Sequence, residues 1–486
     1  MGACVAAVIW ALLIGCTGPT APVDEPFATA HDERWRPQLH YSPATQWMND
    51  PAGLVYFEGE WHLFFQHNPD DILWGPMHWG HAVSTDLVHW QHLPIALSPD
   101  DVLGQVYTGS VVVDEQDSSG LCAGESCLVA VFTHHGGDSA TQKQSVAFSV
   151  DRGRSWTLHD GNPVVEESGL QHFRDPKVFR HEDGWRMVVA AGDRVKLYGS
   201  DDLLAWTWLS DFAADDLNGG VWECPDLLPL ALDGETHWVL SVDTNPGGPQ
   251  GGSGSWWFLG DFDGTTFNGS LQGPADWGAD FYASQSFSGA PDDRTVWLGW
   301  MDNWQYAMLT PTTPWRGAAS LPRELRLENR GSDVVLTQWP VAELDGQRGR
   351  LVAPLETVSD EAPLLIEATL LAGEAEVGFD VFSTDTEKLS IGWRGFDSEL
   401  FVDRSLAGDS RFHADFSARH TVNTTDRLQL DVTIVIDRSS VEVFADGGAV
   451  VLTDRFFALG SERTVVPYGP IEGLRITQMR SGWEPE

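Results

Sequence analysis

Three acids in this chain of 486 residues stand close to a proline: Asn49-Asp50-Pro51, Arg174-Asp175-Pro176 and Glu223-Cys224-Pro225-Asp226. Proline fixes its own φ and biases the residue before it towards extended backbone. Such a turn can hold a carboxylate rigidly where a strand begins. Carboxylates gathered in one place repel one another, so at least one is expected to titrate above the usual carboxylate range. A set divided in that way suits glycosidic-bond chemistry. One ionised carboxylate serves as nucleophile, and one protonated carboxyl serves the leaving group. A single such motif would make only a turn. Three in equivalent places point to a shared pocket.

Equivalent places follow from an internal repeat between about residues 40 and 340. Apolar, β-rich hairpins recur at 53–66, 110–134, 175–192, 226–243 and 282–301, most around turns such as E-G-E, H-E-D-G, L-D-G-E or P-D-D-R. Several are followed by a turn and an aromatic, at Trp90, Trp156, Trp206 and Phe267. Five such units predict an all-β fold, a five-bladed β-propeller over residues 37–340. In a propeller the first strand of each blade lines the channel. The three acids would therefore meet at its mouth. After Pro340 short strands alternate with period two, which predicts a β-sandwich over 345–486, with the boundary near Gln338–Leu351.

Composition narrows the partners. Against 29 basic residues stand 71 acidic ones, a net charge of −42, which excludes nucleic acid and disfavours an anionic membrane surface. A neutral substrate fits. Lysine occurs only at 143, 177, 196 and 388, an acidic, lysine-poor balance that suggests a saline habitat. The 23 tryptophans read mostly as packing between strands, with some suited to stacking on sugars. The apolar run at 3–15 ending in Leu13-Ile14-Gly15-Cys16 reads as a signal peptide over 1–16 resembling a bacterial lipobox, followed by a linker over 17–36. Export is expected, with Cys16 as a lipid anchor, the only membrane attachment foreseen. In an exported protein Cys122 and Cys127 are plausible disulfide partners, which leaves Cys224 over.

At the acidic motifs the chain resembles glycoside hydrolase family 32, the invertase, inulinase and levanase family. W-M-N-D-P-A-G at 47–53, F-R-D-P at 173–176 and W-E-C-P-D at 222–226 resemble its three acidic motifs. The likeness continues through W-G-P-M-H-W-G-H-A-V-S at 74–84, Y-T-G-S at 107–110, D-F-Y-A-S-Q at 280–285, W-R-G-A-A-S-L-P-R-E-L at 315–325 and S-V-E-V-F at 440–444. The resemblance implies Asp50 as nucleophile, Glu223 as general acid/base and Asp175 as a stabiliser of the transition state. It further implies Asn49, Gln66, Trp74, Ser110 and Arg174 as substrate contacts, with no cofactor and no metal. The implied substrates are fructans and sucrose, cut with retention through a covalent fructosyl-enzyme, by exo action, in a monomer. Two departures stand out: Ala52 where the family has Asn, and Trp256-Trp257 in place of a more polar, Tyr-containing stretch.

Other readings fit less. S-V-D-R-G-R-S-W at 149–156 matches the Asp-box of sialidases, but the arginines and tyrosine nucleophile of that class are not in evidence. Five-bladed arabinanases and xylosidases do not explain W-M-N-D-P or the C-terminal sandwich. A non-catalytic fructan-binding lipoprotein would have lost an acid, and all three are here. A fructosyltransferase shares the covalent intermediate and differs in its acceptor. The histidines at 78, 81, 89, 92, 134 and 135 fit no standard metal spacing and read as packing and surface residues.

Overall fold

The computed structural model describes residues 31–136, 139–167, 169–182, 184–217, 219–424 and 427–483. The expected signal segment, with Cys4 and Cys16, and the linker as far as residue 30 lie outside the described residues. Helices among the described residues are short 3-10 turns, and strands carry the fold.

Residues up to Pro340 form five sheets. Their innermost strands are Gln46–Phe57, Gln105–Asp114, Phe173–His181, Val221–Leu232 and Tyr282–Ser286. Each packs on the next and the last returns to the first, so the sheets close into a ring. Trp315–Arg316 pairs in parallel with Gln46 and Trp47 and adds a late strand to the first sheet. The architecture is a β-propeller followed by a β-sandwich of two six-stranded sheets.

Local sequence explains the hairpins. Glu58 and Gly59 both take positive φ (48° and 86°), as do Asp233 and Gly234 (52° and 85°). Two consecutive residues of that kind make the turn whose twist matches paired strands. The recurring aromatic turn is equally regular. Ser84 donates to Asp86 at 3.0 Å, Asp86 accepts from the amides of Val88 and His89, and Trp90 Nε1 donates to the Leu87 carbonyl. Ser200, Asp202 and Trp206 repeat it around Leu203. Ser149, Asp151 and Trp156 do likewise around Gly153. The Asp-box is thus one copy of a structural turn.

Buried ion pairs join propeller to sandwich. Arg323 reaches Asp276 at 2.9 Å and Glu442 at 2.6 Å, Arg404 holds Asp280 at 2.5 Å, and Arg455 holds Asp302 at 2.6 Å. The sequence S-V-E-V-F owes its acid, Glu442, to this interface. Residues 31–36, expected as the end of a linker, instead belong to the fold. Arg36 is fully buried and donates to the Pro43 and Ala44 carbonyls, and Trp35 packs edge-on against Phe457. A guanidinium in their sequence, not their length, anchors them.

Cys122 and Cys127 form a disulfide, and Cys224 is free and buried. Ala52 is buried in an apolar cluster with Val55, Phe64 and Trp79. Trp257 is also core, while Trp256 is half-buried and donates to Thr244 Oγ1.

Candidate active site

All five innermost strands carry the same irregularity at the same end. Asn49-Asp50 oppose the single residue Gln66, Tyr107-Thr108 oppose Thr133, and Asp175-Pro176 oppose Val189. Cys224-Pro225 oppose Val242, and Ala283-Ser284 oppose Gly299. Each is a bulge of two residues against one, a device that twists a strand and re-aims its side chains. Asp175, Cys224 and Ala283 accordingly sit at positive φ (64°, 45° and 54°). Pro176 and Pro225 fit inside their bulges because a bulged residue gives up its ladder hydrogen bond, whereas Pro51 follows its bulge and stands opposite Phe65.

These bulges surround a cavity of about 300 Å³ lined by Asn49, Asp50, Gln66, Trp74, Tyr107, Thr108, Arg174, Asp175, Glu223, Asn245, Trp304 and Met308. The three acids expected from sequence meet there, with Asn49, Gln66, Trp74 and Arg174. Ser110 does not join them. Its hydroxyl donates to the Pro176 carbonyl at 2.9 Å and accepts from the Val178 amide, tying two inner strands together. Ala52 lines no part of the cavity.

The acids are held differently. Asp50 accepts from Asn49 Nδ2 at 2.8 Å on one oxygen and from Thr108 Oγ1 at 2.7 Å on the other. Asn49 is itself oriented by Trp47 Nε1 at 2.6 Å. Glu223 takes Nε and Nη2 of Arg174 on Oε1 (3.1 and 2.5 Å), and its Oε2 accepts from the Tyr282 hydroxyl. Asp175 accepts from the Cys224 amide at 3.1 Å, and Arg174 Nε lies 3.8 Å away. The Cys224 thiol sits 3.7 Å from oxygens of both Asp50 and Asp175. Burial pushes that thiol well up, so it stays protonated and its one S–H is a weak donor shared between the two acids.

Burial also raises the Asp50 carboxyl, against its donors Thr108 and Asn49. Asp175 is pushed up to about 7, by burial first, with Arg174 opposing and Glu223 and Asp50 adding. Repulsion, the cause expected from sequence, is therefore the smaller one. Arg174 is raised as well: burial works against its charge, but Glu223 and Asp175 outweigh it and keep it firmly protonated. Beneath Glu223 its register partner Asp243 is fully buried and raised far above the usual range, again by burial.

Sequence reasoning missed Tyr282, Thr108, Tyr107, Asn245, Trp304 and Met308 as parts of the site. Y-T-G-S and D-F-Y-A-S-Q contained the first three, and no local signal marked the others. Asp114, Asp117 and Cys122 form the one close group of metal-type donors among the described residues, and Cys122 is already in the disulfide.

A β-propeller with acids from separate strands around one pocket, backed by a sandwich, defines a glycoside hydrolase. Residues 40–340 match the N-terminal domain of glycosyl hydrolases family 32, and residues 342–468 match its C-terminal domain. The chain belongs to that family. It is 42% identical over 480 residues to a levanase of Bacillus subtilis (strain 168), covering 92% of this chain and 70% of the levanase. It is 36% identical over 488 residues to an extracellular exo-inulinase of Aspergillus awamori, covering 89% and 91%. The crystal structure of exo-inulinase from Aspergillus awamori superposes with a TM-score of 0.85 at 33% identity, covering 94% of this chain and 100% of that one. A β-fructofuranosidase from Schwanniomyces occidentalis complexed with fructosyl-erythritol gives 0.82 at 29% identity, covering 93% and 99%.

Proposed function

We propose that this enzyme releases terminal β-fructofuranosyl units from levan or inulin, and also cuts sucrose, with retention of configuration. One observation carries the reading. Asp50 and Glu223 face one cavity with different partners, Asp50 among uncharged donors and Glu223 between a guanidinium and a phenol.

Asp50 attacks the anomeric carbon. Glu223 delivers a proton to the departing oxygen, then takes one from the incoming water. Asp175 accepts hydrogen bonds from sugar hydroxyls that tighten in the transition state. Trp74 and Trp304 offer apolar faces to the sugar. The five sheets of the ring are taken as five blades. The names of the relatives, among them several extracellular exo-inulinases, support export and exo action.

Levan, inulin and sucrose digested side by side, with products followed over time, test the reading. Free fructose from the first minutes is expected, and early oligosaccharides would refute exo action. Fructosyl transfer products dominating at high sucrose would reassign the enzyme as a transferase. Asp50→Ala and Glu223→Ala are each expected to lower kcat about a thousandfold or more with unfolding midpoints near wild type. Near-normal turnover in either would refute its role.

A further inference from the structure

A second cavity, about 270 Å³, lies on the sandwich, remote in sequence from the catalytic motifs. Its size is close to that of the catalytic cavity. It opens on the outer face of the sheet that contains Val377–Phe382, Lys388–Arg394, Glu399–Leu406, Arg419–Asn423 and Glu462–Tyr468. Phe379, Ile391, Trp393, Leu400 and Val402 fill the core from these strands. The residues between them therefore point outward.

Two neighbouring rungs of that outer face differ in kind. One is polar across four strands, in the order Asp380, Ser390, Asp403, Arg419. The next places Gly378 beside Gly392, with Phe401 and Tyr468 as their register partners. Glycine weakens a strand and marks places where another group comes close. A Cβ on Gly392 would lie 2.5 Å from the Tyr468 hydroxyl and 2.6 Å from the Phe401 ring, so glycine here makes room for those two side chains to lie across the strand. Phe401 faces outward yet is 1% exposed, because the Arg419 guanidinium lies 3.4 Å above its ring.

The polar groups are pre-set. Lys388 and Ser390 grip the two oxygens of Asp380 at 2.8 and 2.6 Å. Arg419 is fixed by Glu376 at 2.9 Å, and Asp403 by Ser405 at 2.5 Å. The Tyr468 hydroxyl has no hydrogen-bond partner among the described residues. Three carboxylates against two cations disfavour an anionic ligand. These acids form no close group of metal donors. Interleaved fixed donors and acceptors beside the unpartnered Tyr468 hydroxyl suit vicinal hydroxyls of a neutral sugar.

We propose that this depression is a non-catalytic saccharide site that holds one sugar unit of the polymer the enzyme degrades; the identity of that polymer rests on the function proposed above. Bound there, a polymer is tethered to the enzyme, and its free ends reach the catalytic cavity at a raised effective concentration.

Native electrophoresis of the full chain through gels containing levan, inulin or dextran tests this. Asp50→Ala serves as the background so that the matrix survives. The background protein is expected to be retarded by levan or inulin and not by dextran. Adding Arg419→Ala or Asp403→Asn is expected to weaken that binding about tenfold, the loss typical of one charge-assisted hydrogen bond. Asp403→Asn keeps the side chain's shape, and unfolding midpoints confirm that both variants fold. In the active enzyme the same two substitutions should raise KM for polymer and leave sucrose turnover unchanged. No retardation of the background protein, or equal retardation with and without the sandwich substitutions, overturns the proposal. Sugar release by the wild-type chain is read separately, so a wrong substrate and a missing second site give different results.

Discussion

At the scale of single residues, Asp175 gives the clearest consequence. Its carboxyl is pushed up to about 7, chiefly by burial, whereas an unfolded aspartate titrates near about 3.9. Between those values the folded chain binds the extra proton, so stability falls as pH rises across that window. Asp175→Asn removes the ionisation. It is expected to stabilise the protein by about 2 kcal/mol at pH near 8, with little gain near pH 4, and to lose most activity. Denaturant unfolding at the two pH values measures the difference, and an equal gain at both would refute the cause given. Tyr282 is a positioning residue, since its hydroxyl donates to Glu223. Tyr282→Phe should lower kcat about tenfold, leave KM near wild type and displace the pH–rate profile. An unmoved profile would show that Tyr282 only fills space. The three acids were legible in the sequence because a proline follows each of them within two residues. Tyr282 was not, since nothing beside it shows that its hydroxyl ends at a carboxylate 59 residues away in sequence. Ser110 misled because it shares a motif with Thr108, which does touch Asp50. Two residues further along the strand, the hydroxyl meets backbone of the next inner strand instead.

At the scale of elements, alternation and turn residues announced the hairpins, and E-G and D-G formed the expected tight turns. The bulges were invisible, because a register shift depends on which residue the neighbouring strand places opposite. Yet the bulges, repeated on all five inner strands, are what turn acids from three strands into one cavity. Gly299 faces the bulge at Ala283-Ser284, and a Cβ there would lie 2.8 Å from the Phe281 ring and 3.0 Å from the Tyr282 carbonyl. Gly299→Ala is therefore expected to cost about 2 kcal/mol by overpacking and to lower kcat by moving Tyr282. Gly59 is the control. It lies at a positive φ of 86° with no atom within 4 Å of its would-be Cβ. Gly59→Ala should cost only about 1 kcal/mol of backbone strain and leave kcat unchanged. If both variants lose activity equally, the bulge does not position the site.

At the scale of the whole molecule, the sandwich is bound to the propeller through charges buried from solvent, and Glu442 is shared by two of them. Arg323 takes one of its oxygens, and His40 Nε2 meets the other at 2.8 Å while His40 Nδ1 meets Asp437 at 2.8 Å. Residues ahead of the first propeller strand are thereby pinned to the sandwich. Composition could not foretell this, because an acid paired inside an interface reads in sequence like any of the other acids of an acidic chain. Burial works against a charge on His40, but the two carboxylates outweigh it and raise the ring to about 9. An unfolded histidine titrates near about 6.5. The clamp's contribution is thus fully present below about pH 6.5 and is lost as pH rises through about 9. His40→Gln leaves Asp437 and Glu442 short of a cation and is expected to cost about 3 kcal/mol at pH 6. The gap to wild type should narrow as pH approaches about 9, where wild type loses the same proton. Unfolding free energies of the two proteins across that range measure it, and a gap that stays constant with pH would mean that His40 acts there by shape alone.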